Sequence, residues 1–153
     1  MDKTREKLVT YAWGLRYEDL TPKAIHCLKR SVIDSIGCAI GAFHAEPVVA
    51  ARKLAAQVSA AKPATIIGTQ IRSSPELTAF ANSAMIRYAD FNDDYFGGNG
   101  AFGPHPSDNT GAVLAAAESA GVDVKTFVLG TVVAYEICCQ MVDHTHLHPA
   151  RAP

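Results

Sequence analysis

Apolar positions recur with helical spacing along most of the chain. Leu8, Tyr11, Ala12 and Leu15 stand at i, i+3, i+4 and i+7, which predicts a first amphipathic helix with one buried face. Asp19 to Pro22 interrupts that pattern. Thr21 reads as an N-cap, with Pro22 at the first helical position, where its missing N–H costs nothing. The second helix runs to about Gly41 with Ile25, Leu28, Val32, Ile36 and Ile40 on one stripe. Its end is rich in small residues (Gly37, Ala39, Gly41, Ala42) that let another helix approach closely. Glu46 and Pro47 open a third helix with Val48, Ala51, Leu54, Ala55 and Val58 inward. From Ala64 to Arg72 the period changes, and Thr65, Ile66 and Ile67 before Gly68 predict a short strand or hairpin. Ser73 with Glu76 three residues on forms a capping-box pattern ahead of a fourth helix reaching about Ala89. In that helix Ala79, Ala81, Ser83 and Ala84 suit tight central packing. Ser107 caps a fifth helix stopped by Gly121, and Asp123 caps a sixth that is apolar nearly all round. The pattern predicts a mainly α fold: an irregular bundle of about six helices, with a short β-hairpin near residues 64–72.

Composition narrows the class without changing this picture. At 153 residues the length suits one domain, and 48% hydrophobic against 19% charged residues suits a buried core rather than disorder. A formal net charge of −1, with no dense basic run, argues against nucleic acid or a membrane surface as the main partner. Cys27, Cys38, Cys138 and Cys139 show no Cys-x-x-Cys spacing and fall in apolar helices, so they read as buried reduced thiols. The amphipathic start MDKTREKLVTYAWGL lacks the features of a secretory signal, and the expected location is cytoplasmic. The longest apolar segment, residues 127–142, carries Glu136 and Gln140 and reads as too short to span a bilayer. The close at HTHLHPARAP, behind an unusually apolar helix, reads as the first part of something longer.

The one long connection, from Arg87 to Asn109, concentrates the candidate chemistry. Gly98, Gly100 and Gly103 satisfy G-x-G-x-x-G, but a dinucleotide site needs a strand before the glycines and a helix inside them. Here a helix precedes and Pro104-His105-Pro106 follows. Asp90, Asn92 and Asp94 begin like a calcium loop, yet Tyr95 and Ala101 stand where glycine and glutamate are required; a looser cation site or a solvated acidic turn stays open. His144, His146 and His148 alternate as metal ligands would in an extended segment, although a solvated helix end explains them more simply, and no metal site is assigned. His105 lies just before a helix start, so its imidazole and the free N–H groups after Ser107 could share one cavity suited to a carboxylate. There His105 or Asp90 would move a proton on the neighbouring carbon; a structural loop histidine is the alternative.

The stretch NSAMIRYADFNDDYFGGNGAFGPHPSDNTGAVLAAAESAG closely resembles the signature region of the MmgE/PrpD family, particularly its 2-methylcitrate dehydratase branch. Weaker likeness extends over SVIDSIGCAIGA, ATIIGT, SSPELTAFAN and VVAYEI, covering nearly the whole chain. The resemblance implies a large helical domain with a smaller α+β lid, assembled as a homodimer. It implies action on small di- and tricarboxylates without metal, iron–sulfur cluster or other cofactor, by proton transfer beside a carboxylate. By position, Asp90 and His105 match the family's catalytic aspartate and histidine, while Asp94, Ser107, Asp108 and Asn109 fall at substrate-binding positions. Asp94 stands where the family usually has threonine, adding a negative charge where a polyanion should dock. The chain is shorter than a family member, and the resemblance places the lid, a lysine and a second histidine of the site beyond Pro153. The implied reaction is water elimination from a small tricarboxylate. Decarboxylation or epimerisation within the family, and a non-catalytic helical interaction fragment, are the alternatives.

Overall fold

The computed structural model describes residues 2–97 and 103–144. Six helices follow one another: α1 (Lys3–Gly14), α2 (Pro22–Gly41), α3 (Glu46–Ala55), α4 (Pro75–Arg87), α5 (Asp108–Ala120) and α6 (Val124–His144). Between α3 and α4 lies a two-stranded antiparallel hairpin, β1 (Ala64–Thr65) with β2 (Arg72–Ser73), in the register Ala64 to Ser73 and Thr65 to Arg72. The mainly α reading with one small hairpin is what the structure shows.

Helix starts follow from local chemistry. Thr21 Oγ1 accepts from Ala24 N–H at 3.1 Å ahead of Pro22. Asp123 Oδ1 accepts from Thr126 N–H at 2.9 Å and from its hydroxyl at 2.7 Å, opening α6. At α4 the cap is Ser74, not Ser73. Pro75 occupies the first turn, so the residue before it must cap, while the hairpin claims Ser73, whose buried hydroxyl donates to Ala55 O at 2.6 Å.

Helix α4 is the hub, packing against α2, α3, α5 and the hairpin. Its Ala81, Met85 and Ile86 join Ala39, Ala42, Val48, Ala51, Ala55 and Ile66 in one buried cluster dominated by small side chains. Small residues bring backbones close. A Cβ at Gly111 of α5 would lie 2.7 Å from Ser83 N, so the two helices meet there almost backbone to backbone. Buried Asn82 joins α4 to the hairpin by accepting from Ile67 N–H at 3.0 Å and donating to Thr65 O at 3.2 Å. Glu118 of α5 accepts from Thr65 N–H at 2.6 Å and stands 3.6 Å from Arg72, tying the hairpin to α5 as well.

Several burial expectations are corrected. Helix α1 buries no residue; Tyr11 is exposed and Trp13 is 91% exposed. Ile40 and Leu54, read as inward, are exposed because α2 and α3 meet only part of the apolar stripe with a neighbour in this chain, and Val58, also read as inward, lies past the end of α3 and is exposed. The cysteines are free thiols, but Cys27 is exposed and the other three are half-buried. Burial raises the thiol pKa of Cys38, Cys138 and Cys139, the last to about 11, which keeps them protonated and unreactive near neutrality. The helix around residues 127–142 is longer than its apolar run. At 21 residues and mean hydropathy 1.3, α6 is long and apolar enough, by length and composition, to cross a membrane. It is the one such single helix among the described residues, and it also carries Glu136 in its exposed middle.

Candidate active site

Helix α4 ends at Arg87 and the chain turns immediately, with Asp90 N–H donating to Arg87 O at 3.1 Å. Asp90 adopts φ 57°, the one non-glycine left-handed residue among those described. Such a conformation is uncommon and costs energy, and it often marks a functional constraint. It turns the Asp90 carboxylate toward two partners. Arg87 Nη1 forms a close ion pair with Oδ1, and His105 Nε2 lies 3.4 Å from the same oxygen. Two residues separated in sequence by the whole loop are thereby brought together.

The loop closes through paired strands of contacts. Tyr95 N–H donates to Pro104 O at 3.1 Å, and Tyr95 OH donates to Asp143 of α6 at 2.8 Å. Gly103 packs so tightly on the Tyr95 backbone that a Cβ there would collide with the carbonyl. Beneath this, buried Asn92 donates to Ser107 Oγ at 2.8 Å and to Asp108 Oδ1 at 3.0 Å. Asp93 Oδ1 accepts from Ser107 N–H at 3.0 Å.

That last contact corrects the expected carboxylate site. Ser107 is fully buried, its hydroxyl does not cap the helix, and its N–H is already taken by Asp93. The N–H groups of Asp108, Asn109 and Thr110 donate to the carbonyls of His105, Pro106 and Ser107 at 3.0, 3.2 and 2.8 Å. An internal carboxylate and a tight turn therefore satisfy the helix start that the spacing had left open for a ligand. Asn109 is likewise engaged, donating to Pro106 O at 3.0 Å. Asp108 remains accessible at 41% and faces Arg87, with Nε 3.5 Å from Oδ2. Asp94 is exposed, and among the described residues no hydrogen bond or ion pair joins it to Asp90 or His105. The calcium-like trio also diverges: Asn92 points into the protein and Asp90 pairs with Arg87. Gly98, Gly100, Ala101, His146 and His148 lie outside the described residues.

The electrostatics separate the two accessible carboxyls. The Arg87 hydrogen bond, reinforced by its charge and more weakly by His105, holds Asp90 below the ordinary aspartate range. Burial pushes Asp108 upward against the opposing pull of Asn92 and Arg87. Behind the site the Tyr135 phenol is raised well above its usual value by burial and by Asp93. Its hydroxyl is buried among the side chains of Asp93, Ser31 and Thr110. His105 is 14% exposed; its Nδ1 is buried without a partner, and its Nε2 faces Asp90. Sequence reasoning assigns no catalytic or substrate-binding role to Arg87, Asn92, Asp93 or Tyr135, and Asn92 enters it only through the calcium-like trio. Arg87 alone carried a readable signal, as an arginine in the last turn of a helix three residues before an aspartate.

Comparison with known proteins identifies the family of this helical scaffold. Residues 6–151 match the MmgE/PrpD N-terminal domain, and the chain belongs to that family. Among its relatives, a 2-methylcitrate dehydratase-like protein of Aspergillus oryzae is 35% identical over 125 residues, covering 76% of this chain and 23% of the relative. The 2-methylcitrate dehydratase of Salmonella typhi is 29% identical over 153 aligned residues, covering 89% of this chain and 30% of its own length. An alkylcitrate dehydratase from a fungal species is 31% identical over 141 residues, covering 77% and 26%. The chain thus spans less than a third of the length of these relatives.

Proposed function

We propose that this chain carries the proton-transferring part of a cofactor-independent hydro-lyase site that eliminates water from a small tricarboxylate of the 2-methylcitrate type. The observation that carries the reading is the Asp90–His105 pair at 3.4 Å, with Asp90 in a left-handed turn. The relatives named as 2-methylcitrate and alkylcitrate dehydratases supply the reaction class. Elimination removes a proton from a carbon beside a carboxylate and releases the hydroxyl of the adjacent carbon as water, leaving a double bond. Such a step needs one group to take the proton and one to give a proton to the departing oxygen. His105 serves as one of these, with the Asp90 carboxylate 3.4 Å from its Nε2.

Charge sets the substrate requirement. Arg87 is the guanidinium in contact with the site and Asp90 and Asp108 are its carboxylate partners, while Asp94 follows Asp90 in the same loop. A tricarboxylate would bind best where its anionic groups meet Arg87 and stay clear of Asp94. The test is an ultraviolet assay for unsaturated product with 2-methylcitrate, citrate and cis-aconitate, run beside a sizing column. Turnover of 2-methylcitrate that disappears with His105 supports the reading; absence of turnover on all three rejects it for this chain.

A second reading is favoured by the exposed apolar surface. Trp13 at 91%, Phe91 at 82% and Ile33 at 71% exposure, with just three residues of α6 buried, describe a piece that would pair with another copy or another helical chain. Self-association without turnover supports this homo-oligomeric interaction module, and a monodisperse monomer rejects it.

A further inference from the structure

Resting on the proposal that Asp90 and His105 move the proton, we infer that Arg87 is the positioning residue of that pair. Its guanidinium grips the carboxylates of Asp90 and Asp108 together, fixing the Asp90 carboxylate 3.4 Å from His105 Nε2 as an ionised partner rather than as a base in its own right.

Both ends of Asp90 are held by this one residue. The Arg87 carbonyl accepts the Asp90 N–H at 3.1 Å, and the Arg87 side chain binds the Asp90 carboxylate. The left-handed backbone between these grips is disfavoured for a residue with a Cβ, so something must hold it, and the double attachment does so. Arg87 is itself referenced to the rigid part of the fold. Its Nε lies 3.5 Å from Asp108 at the start of α5, and the Asp108 carbonyl accepts from Ser83 Oγ of α4 at 3.0 Å. That bond sits beside Gly111, where the two helices approach most closely. The position of the carboxylate facing His105 is therefore set by the α4–α5 contact, relayed through one guanidinium.

Charge gives the same role a chemical meaning. A carboxylate paired with arginine is stabilised in its ionised form, which makes it a poor proton acceptor and a good hydrogen-bond acceptor. Arg87 thus divides the work, leaving proton exchange to His105. Lysine could not reproduce this arrangement, because a single ammonium lacks the fork whose Nη1 and Nε reach two carboxylates in different directions.

The experiment is a carboxyl-carbon NMR titration of Asp90 in the 153-residue protein, in Arg87→Gln and in Arg87→Lys, with the amide spectrum reporting the fold. Asp90 should titrate below the ordinary aspartate range in the wild type and rise into or above it in Arg87→Gln. In Arg87→Lys the midpoint should fall between them, since the charge survives and the fork does not. Equal midpoints in wild type and Arg87→Gln overturn the role. Should Arg87→Gln fail to fold, the wild type and Arg87→Lys decide: an ordinary wild-type midpoint, or one unmoved by lysine, overturns it. Turnover judges the functional reading separately. An inactive chain whose Asp90 depends on Arg87 rejects the dehydratase and keeps the coupling, whereas an active chain with an independent Asp90 does the reverse.

Discussion

Replacing Gly111 with alanine tests the claim that a backbone-to-backbone contact between α4 and α5 underlies the site. In an exposed helix this change stabilises, by about 1 kcal/mol, because alanine loses less conformational freedom. At Gly111 the added Cβ would lie 2.7 Å from both Ser83 N and Ser83 Oγ and 3.0 Å from Asn82 C. The shortfall from ordinary contact is about 0.7 Å, and backbone atoms cannot rotate away from it. Overpacking of this kind costs about 1–3 kcal/mol, here at the upper end, so the net destabilisation should be about 2 kcal/mol. For a chain of this length that lowers the melting temperature by about 4–8 °C. Circular dichroism melts would measure it, with Gly37→Ala in α2 as the control. A Cβ at Gly37 meets nothing within 4 Å, so that variant should gain up to about 1 kcal/mol. Gly111→Ala as stable as the wild type would refute the close-contact argument.

Asn82→Leu keeps the side chain's bulk but strands Ile67 N–H and Thr65 O, and should cost about 2–4 kcal/mol in urea denaturation; a loss below about 1 kcal/mol would show that the hairpin does not depend on it. Asp94→Thr removes one negative charge near the proposed docking surface. At an interaction of about 1 kcal/mol it should tighten tricarboxylate binding about fivefold at low salt, fading as salt rises; calorimetry would contradict this by showing unchanged affinity. Asp123 is held below its ordinary range chiefly by the Thr126 N–H, so its ionised form stabilises the fold. That contribution is complete above the unfolded pKa of about 3.9 and is lost as pH falls through the lower folded value. Asp123→Asn, which keeps an accepting oxygen, should flatten this part of the acid-unfolding curve, and an unchanged curve would remove Asp123 from the account.

Helix number and order were legible because periodicity and caps such as Thr21 and Asp123 act locally. What escaped was decided between elements. Ser73 and Ser74 are indistinguishable as caps until the hairpin claims one of them. The apolar stripe of α3 predicted burial correctly for Val48, Ala51 and Ala55 but not for Leu54, while Val58 falls past the end of the helix and Tyr11 of α1 stays exposed beside Glu136 of α6. At the site, the pairing of Asp90 with His105 followed from positional resemblance. The filling of the α5 start by Asp93 did not, since it depends on how the loop folds back through Tyr95 and Pro104. Arg87 was visible in the sequence, but its role emerges only when α5 brings Asp108 within reach.

The most direct test of the central claim compares 2-methylcitrate turnover by the wild type and by His105→Ala, following unsaturated product by ultraviolet absorbance. Loss of an acid/base histidine should reduce turnover by about 10² or more while leaving the amide spectrum intact. Turnover in His105→Ala within a few-fold of the wild type, or a wild type that releases no product, would contradict the account.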